Sequence, residues 1–386
     1  MLRIALKMLI GERGKYLGMI AGVFFAALII TQQLSIFTGL LARTVGFLDD
    51  TGLPDIWVMD PKVQYIDDIK PLQDTKLLLV RGISGVDWAM PLYRGQLKAR
   101  LTNGQFQNCT VLGLDDATLI GGPAQMLQGS LKDLRRSDGV IVDEVGAGTK
   151  LARPAAEAGG KPTPLTLGDT LELNDHRAVV VGIARVSRTF QSQPVVYTTY
   201  SRATRFAPRE RKLLSFILVK AQPGAKLTEV AERIRSRTGL AAYTSDEFRW
   251  MTINYFLKYT GIPINFGIAV LLGFFVGTAI VGQTFYAFTA DNLRYFGTLK
   301  AMGASNHTLL TMIVLQAALV GLMGYGLGVG LASFTSFLSS RTELAFKFPW
   351  QIPVASGSAV VLICVLSAIL SIRKVTRLEP AIVFKA

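Results

Sequence analysis

Cysteine and histidine are scarce in this chain. The chain has 386 residues. Its two cysteines are Cys109 and Cys364, and its two histidines are His176 and His307. Cys364 lies inside an apolar run, so we expect no disulfide with Cys109 and no disulfide framework. Neither histidine has a cysteine or a carboxylate at the spacing that metal sites use, and we expect both at the surface. The sequence therefore predicts no metal site.

Motifs for catalysis and nucleotide binding are also missing. The chain has no Gly-x-Ser-x-Gly sequence and no Ser-His-Asp pattern, so we predict no catalytic residues. It has no Gly-x-x-x-x-Gly-Lys-Ser/Thr loop, so we expect no ATP hydrolysis through such a loop and no bound cofactor. Gly324, Gly326, Gly328 and Gly330 stand at alternate positions, but they lie inside an apolar run, follow no strand and lack the lysine.

Charged residues are nearly absent from four long apolar runs, which cover roughly residues 16–41, 262–288, 308–338 and 354–372. Each run is long enough to cross a bilayer as a helix, which takes about 20 apolar residues. Ion and proton pathways use buried charged side chains, so their absence argues against a secondary transporter or a proton-driven pump. The polar residues that we expect to form hydrogen bonds between these helices are Gln32, Gln33, Gln283 and Gln316.

Glycines recur four residues apart inside the apolar runs. The pairs are Gly18/Gly22, Gly273/Gly277, Gly324/Gly328 and Gly326/Gly330. Small residues at this spacing share one face of a helix and let two helices approach closely. We predict that the last three pairs pack helices, either within a bundle or at a dimer seam.

Basic residues outnumber acidic ones, and the formal net charge is +14. Many of them lie close to the ends of the apolar runs, for example Arg13, Lys15, Arg294 and Arg373. Cytoplasmic loops of membrane proteins carry such an excess, so we place both termini and segment 290–306 in the cytoplasm. The other basic residues do not cluster as they would along a phosphate backbone, and we expect no nucleic-acid partner.

The long segment 44–259 alternates strand and helix patterns. Strand-like runs cover 55–59, 86–101, 107–114, 139–142, 170–173, 177–186, 195–199 and 213–219, and helical patterns cover 72–80 and 227–238. Asn174 and Asp175 form a hairpin-turn signal. Residues 244–258 predict a helix that Thr244 or Ser245 caps and that runs beside the far end of the first span.

The fold class that follows is a membrane protein with four transmembrane α-helices and a large extracytoplasmic α+β domain inserted between helices 1 and 2. We divide the chain into an amphipathic interfacial helix (1–15), a first span with the start of a stalk (16–43), the α+β domain (44–259), a second span (260–289), a cytoplasmic loop with a helix (290–306), a third span (307–338), an external loop (339–353), a fourth span (354–372) and a cytoplasmic tail (373–386).

The segment 290–305 predicts a short helix between the second and third spans. Asp291 and Asn292 fit its start and Gly303 fits its stop. The residues that would form one apolar stripe along it are Leu293, Phe296, Leu299 and Met302. Such a stripe at a membrane surface needs a partner or the lipid interface to cover it.

The run from Leu293 to Ala304, Leu-Arg-Tyr-Phe-Gly-Thr-Leu-Lys-Ala-Met-Gly-Ala, resembles the cytoplasmic loop of FtsX-like ABC transporter permeases. The stretch from Ile372 to Ala381, in which a basic run precedes Pro-Ala, is similar to the ending of that family. One span, a large external domain and three further spans match the layout of FtsX-like and MacB-like permeases. Within the family, the chain most resembles DevC-type exporter permeases.

The resemblance implies a separate ABC ATPase that binds ATP, and two copies of this chain. The residues that it assigns to ATPase coupling are Leu293, Arg294, Phe296, Gly297, Thr298, Leu299, Lys300, Met302 and Gly303. It further implies a bacterial inner-membrane efflux system that exports a lipidic or amphipathic compound, with a periplasmic adaptor, an outer-membrane channel and membrane lipid as partners. A stalk formed by the first and second spans would carry ATPase motion to the external domain, a process called mechanotransmission.

Three other functions stay open. A permease of this family could release lipoproteins or regulate a cell-wall hydrolase. From a different class, the chain could be a membrane-tethered sensor or scaffold without an ATPase, which the loop pattern disfavours. The proteins recovered with the chain would discriminate between these functions.

Overall fold

A computed structural model of the chain describes residues 2–154, 160–208, 213–339 and 344–376. The chain forms two compact units, one from Met1–Leu40 with Gly261–Ala386 and one from Leu41–Thr260. We call the first the membrane unit and the second the α/β domain. The helices are α1 (Leu2–Gly11), α2 (Arg13–Asp50), α3 (Thr75–Arg81), α4 (Glu144–Gly148), α5 (Tyr200–Phe206), α6 (Leu227–Thr238), α7 (Ser245–Tyr259), α8 (Ile262–Asp291), α9 (Leu293–Ala301), α10 (Asn306–Ser339) and α11 (Gln351–Thr376), with a short 3-10 helix at Leu131–Arg135. The strands are β1 (Ile56–Met59), β2 (Val86–Arg100), β3 (Phe106–Leu114), β4 (Gln125–Gln128), β5 (Gly139–Asp143), β6 (Thr170–Leu173), β7 (His176–Arg185), β8 (Val195–Thr199), β9 (Phe216–Ala221) and β10 (Ala241–Thr244).

In the part of the chain that the structure describes, four helices, α2, α8, α10 and α11, are long and apolar enough to cross a membrane. They fall on the four predicted runs. Helix α2 is the longest, with 38 residues that span roughly 57 Å at about 1.5 Å per residue, whereas the hydrocarbon core is about 30 Å thick. Its last turns belong to the α/β domain, where Val45 and Leu48 are buried in the core.

The segments that flank the last span are only partly described. Helix α11 continues to Thr376, past the predicted end of the span at residue 372. Of the stretch that resembles the family ending, residues 377–381 lie outside the described residues. In the predicted external loop, the Lys347 backbone N–H donates to the Ser35 carbonyl oxygen of α2 at 3.1 Å.

The α/β domain is built on one 10-stranded sheet with the order β10-β1-β9-β2-β3-β8-β5-β7-β4, and β6 pairs with β2 and β7. The β3–β8 and β5–β7 pairs are parallel, and the others are antiparallel. Strand β2 holds the sheet together, because its first half pairs with β9 and its second half with β3.

The strands form where apolar runs meet turn residues. Each of the eight predicted runs contains a strand, and β6 and β7 are joined by Asn174 and Asp175, whose φ angles of 48° and 65° suit a tight hairpin turn. No sequence pattern predicted β4 or β10. Strand β4, Gln125–Gln128, is mostly exposed and lacks an alternating pattern, and it owes its conformation to pairing with β7.

The predicted helix near residue 244 begins as expected. The Thr244 side chain accepts from the Glu247 N–H, and the Glu247 side chain accepts from the Thr244 N–H, which is a capping box. Arg249 of α7 forms an ion pair with Asp49 near the end of α2, so these two helices run side by side within the α/β domain, as predicted. Helix α7 ends at Tyr259, and α8 starts anew at Ile262 with Pro263 in its first turn.

Candidate functional site

Helix α9 has well-defined ends. It begins after Asn292 and is terminated by Gly303, whose φ of +94° suits glycine. The Ala304 N–H donates to the Leu299 carbonyl oxygen at 3.0 Å, and the Gly303 N–H donates to the Lys300 oxygen at 3.1 Å. This bond pair is the Schellman motif, in which a left-handed glycine ends a helix. The predicted start and stop of this helix therefore fit the structure.

The predicted apolar stripe of α9 does not face outward. Phe296 is fully buried and Leu299 is 8% exposed, and both belong to a cluster with Ala5 and Leu9 of α1. The expectation that an outside partner or lipid must cover the stripe is wrong at these two positions, because the chain covers them itself. Met302 follows the last residue of α9 and does not share this buried face, so the predicted stripe holds only in part. Periodicity also does not reveal what lies against a face.

The exposed face of α9 consists of residues outside the predicted stripe, together with Met302 just after the helix. Tyr295 is 64% exposed and Met302 is 71% exposed, and Arg294 and Thr298 are also exposed. The remaining residues predicted for ATPase coupling are placed as follows: Leu293 and Lys300 are half-buried, Gly297 is buried and Gly303 is exposed. The described chain therefore offers a small mixed surface of one cation, one aromatic ring, one hydroxyl and one thioether.

Two of the predicted glycine pairs pack against α2. A Cβ atom added to Gly324 would lie 2.5 Å from Val23 Cβ, and one added to Gly328 would lie 2.8 Å from the Phe24 carbonyl oxygen. On α8, a Cβ atom at Gly277 would lie 2.5 Å from Ala26 Cβ. Real Cβ atoms do not approach so closely, so these glycines let α8 and α10 touch the α2 backbone. Gly273 makes a looser contact with Ile29.

The third pair behaves differently. A Cβ atom at Gly326 or Gly330 would meet no atom within 4 Å. These two glycines instead line an open apolar groove between α2 and α10, together with Leu17, Ala21 and Phe24. The prediction that this pair packs helices is not met within a single chain.

Among the polar residues of the spans, Gln316 makes the expected bond between helices. It is 1% exposed, and its Nε2 donates to the Ala5 carbonyl oxygen of α1 at 2.9 Å. Gln283 is exposed, and Gln32 and Gln33 are half-buried. The described residues show no such bond for these three, so the prediction is met at one of four positions.

Sequence analysis did not find the polar contacts that hold the far end of α2 in the α/β domain. Arg94 is 5% exposed, forms an ion pair with Asp67, and places its guanidinium 4.6 Å from the ring centroid of Phe47. Asp50 accepts hydrogen bonds from the Ser187 N–H at 2.7 Å and from Ser187 Oγ at 2.8 Å. No local pattern links these residues, because they are far apart in the sequence.

Two titratable groups of the α/β domain, Cys109 and Asp143, are buried and take part in structural contacts. Burial raises the pKa of the Cys109 thiol to about 12, with the nearby Asp143 adding to the shift. Asp143 caps α4 by accepting from the Gly146 N–H at 2.7 Å, and also accepts from the Val195 N–H at 2.7 Å. Within the described ranges, no three His, Cys, Asp or Glu side chains gather where a metal ion could bind.

Comparisons with known proteins cover both units. Residues 16–237 match the family model of the MacB-like periplasmic core domain, and residues 252–380 match that of the FtsX-like permease C-terminal region. An uncharacterized ABC transporter permease of Mycobacterium tuberculosis is 24% identical over 247 residues, which are 62% of this chain and 64% of the relative. One of Methanocaldococcus jannaschii is 22% identical over 195 residues, 48% of each chain. The matches thus span less than two thirds of these relatives.

Two solved structures resemble part of the fold. The periplasmic region of MacB from Actinobacillus actinomycetemcomitans aligns with a TM-score of 0.37 and 19% identity, covering 54% of this chain and 95% of that one. The extracellular domain of the ABC-type transporter YknZ from Gram-positive bacteria aligns with a TM-score of 0.33 and 11% identity, covering 50% and 98%. With one model matched over more than half of its length and the second over most of the remainder, the chain belongs to the FtsX-like and MacB-like family of ABC transporter permeases.

Proposed function

We propose that this chain is the membrane subunit of an ABC exporter and that the exposed face of α9 docks on a separate ATPase. The observation that carries the proposal is the division of α9 into two faces. Phe296 and Leu299 are buried in the apolar cluster of the membrane unit, while Arg294, Tyr295 and Met302 are exposed. A helix that is packed into its own unit and also exposes a small surface can bind a partner and transmit the partner's movement to that unit.

The ATPase is proposed as a separate protein because the chain has no phosphate-binding loop of its own. The basic residues near the ends of the spans favour a cytoplasmic location for α9 and for both termini. With four spans, that orientation places the α/β domain outside the bacterial inner membrane. The chain itself is proposed to be non-catalytic, with ATP bound and hydrolysed by its partner.

A second copy of the chain is the proposed occupant of the open groove between α2 and α10. Gly326 and Gly330 lie on this groove with free space above them. Their four-residue spacing is the pattern that lets two transmembrane helices approach closely. Because Gly324 and Gly328 are already used within the chain, this second pair remains available for a neighbour.

The proposed work is mechanotransmission. Helix α2 is unbroken from Arg13 to Asp50, and its end is held in the α/β domain by the contacts of Phe47 and Asp50. Movement of α2 would therefore act on that domain without a channel through the spans. As the DevC-type resemblance implies, the cargo would be a lipidic or amphipathic compound that passes to a periplasmic adaptor and an outer-membrane channel.

Purification of the tagged chain in mild detergent tests the docking face. We expect the wild-type chain to bring an ABC ATPase with it. Tyr295→Asp and Met302→Asp should reduce this recovery by about tenfold, because exposed side chains at the centre of an interface contribute most of its affinity. Membrane insertion and thermal stability should stay unchanged, since both side chains are exposed.

Leu78→Asp is the matched control, because Leu78 is also an exposed apolar residue (65%) but lies on α3 of the α/β domain. It should leave ATPase recovery unchanged. Phe296→Asp, by contrast, is expected to unseat α9 and destabilise the membrane unit, so it cannot separate docking from folding. Wild-type recovery of the ATPase that survives both Tyr295→Asp and Met302→Asp would contradict the assignment of this face.

A further inference from the structure

Asn292 stands at the corner between α8 and α9 and is 3% exposed. Its Nδ2 donates to Glu12 Oε1 at 2.7 Å and to the Phe288 carbonyl oxygen at 2.9 Å. Its backbone N–H donates to the same Phe288 oxygen, and its carbonyl oxygen accepts from the Phe296 N–H, both at 3.2 Å. One buried residue therefore ties the last turn of α8 and the first turn of α9 to Glu12, which separates α1 from α2.

Lys15 in the first turn of α2 extends this connection outward. Its Nζ lies 2.6 Å from the Glu12 carboxylate and also forms an ion pair with Asp291, the last residue of α8. The Lys15 and Glu12 side chains are 29% and 31% exposed, and that of Asp291 is 61% exposed. Ion pairs this exposed add little net stability. Their alternating charges instead favour the arrangement in which the first turn of α2 faces the end of α8.

Helix α1 belongs to the same apolar cluster. Ala5 and Leu9 are buried in it with Phe296 and Leu299 of α9, and the cluster also includes residues of α2, α8, α10 and α11. Gln316 of α10 donates to the Ala5 carbonyl oxygen and so holds α1 against α10. Helix α9 is thus packed into the membrane unit and tied near its start to residues 12 and 15.

We propose that Glu12, Lys15, Asp291 and Asn292 form a joint that makes α9 and the first turn of α2 move as one piece, with Asn292 as its positioning residue. The peptide chain links α9 to α8 and α10 but not to α2, so the joint adds a direct route. Since α2 has no break between Arg13 and Asp50, a displacement of α9 enters the helix that ends in the α/β domain. The inference rests on the proposed function only in taking a docked ATPase as the protein that moves α9.

Spin labels test the joint in the full chain, reconstituted in lipid nanodiscs without any ATPase. Labels on the exposed positions of Arg13→Cys and Ala301→Cys report the separation of α2 from α9, and the two native cysteines are buried. We expect a narrow distance distribution in the parent chain. Lys15→Glu or Asp291→Lys alone should broaden it about twofold, and the two together should narrow it again, as coupled residues do in a double-mutant cycle.

Asn292→Leu, which removes both side-chain hydrogen bonds, should also broaden the distribution. Arg3→Glu is the control, because it reverses an exposed charge of α1 at a distance from the joint in sequence, and it should change nothing. The joint is refuted if the single reversals stay as narrow as the parent, or if the double reversal stays as broad as the singles.

The experiment separates this inference from the proposed function. A wild-type chain that recovers no ATPase would remove the docking proposal and leave the distance measurements as they are. With an ATPase bound, nucleotide addition should leave the distance between the two labels unchanged in the parent chain, because α9 and the first turn of α2 then move together. In the single reversals the ATPase should still bind, but the distance should change when nucleotide is added.

Discussion

The membrane unit and the α/β domain achieve close packing with different residues. In the α/β domain, the Trp57 ring packs with those of Phe216 and Phe248, each with its centroid 5.8 Å away. In the membrane unit, Gly277 and Gly324 bring α8 and α10 against the backbone of α2. In water, burial of large apolar side chains drives folding. In lipid the tails are as apolar as leucine, so helices gain by close approach instead.

The two units also place their charges differently. The α/β domain buries Arg94 and pairs it with the half-buried Asp67. In the membrane unit, the ion pairs of Lys15 gather at one end of the spans, beside the start of α9. Buried charges cost little only where partners satisfy them, and the centre of a bilayer offers none. The expected effect of a substitution on stability therefore depends on whether the residue lies in the unit surrounded by water or in the unit surrounded by lipid.

The largest effect should come from Gly324→Leu. The added side chain would overlap Val23 and the Ile20 carbonyl oxygen, and α10 would have to move away from α2, which costs about 3 kcal/mol or more. We expect loss of the monodisperse peak in size-exclusion chromatography of the detergent-solubilised chain.

Gly326→Leu is the matched control for Gly324→Leu in size-exclusion chromatography. It adds the same side chain to the same helix, two residues away, where no atom lies within 4 Å. The folded monomer should survive, whereas a dimer formed through the α2–α10 groove should be lost. Equal damage from both variants would contradict the distinction between the two glycine pairs.

A smaller effect, confined to the α/β domain, should follow from Asp67→Ala. It leaves Arg94, 5% exposed, without its carboxylate, and an unsatisfied buried charge costs about 2 kcal/mol. Urea titration with pulsed alkylation can follow each unit, because Cys109 lies in the α/β domain and Cys364 in the membrane unit. The urea midpoint for Cys109 should fall, and that for Cys364 should not.

Lys226→Ala is the control for this change. Lys226 pairs with Glu229, but the two side chains are 78% and 59% exposed, so its loss should cost less than about 0.5 kcal/mol. A midpoint shift as large as that of Asp67→Ala would mean that burial does not decide the contribution of ion pairs in this domain.

The reactivity of Cys109 in the folded parent chain can be measured without any substitution. Burial raises the pKa of Cys109 to about 12, so its reactive thiolate is nearly absent at pH 8. Alkylation of this thiol with iodoacetamide should be about 10³-fold slower than in the unfolded chain, whose cysteine has a pKa near 8.5. Rapid labelling at pH 8 without urea would indicate that the strand bearing Cys109 opens readily.

The sequence by itself determined the elements and their order. Four apolar runs predicted the spans because a bilayer demands about 20 apolar residues per helix. Asn174 and Asp175 predicted a hairpin because few residues adopt positive φ angles readily, and Thr244 predicted a helix start through its side-chain oxygen. All these signals act within a few residues of the chain.

Only the tertiary structure decided which face meets which partner. Phe296 and Leu299 lie on one face in any helix, but the burial of that face depends on an apolar cluster with residues of five other helices, some of them almost 300 positions earlier in the chain. Gly324 and Gly326 look alike in the sequence, and only Gly324 lies in close contact with α2. The bond from Asn292 to Glu12 joins residues 280 positions apart. Periodicity fixes the direction of a side chain relative to its own helix, whereas long-range packing fixes what stands in that direction.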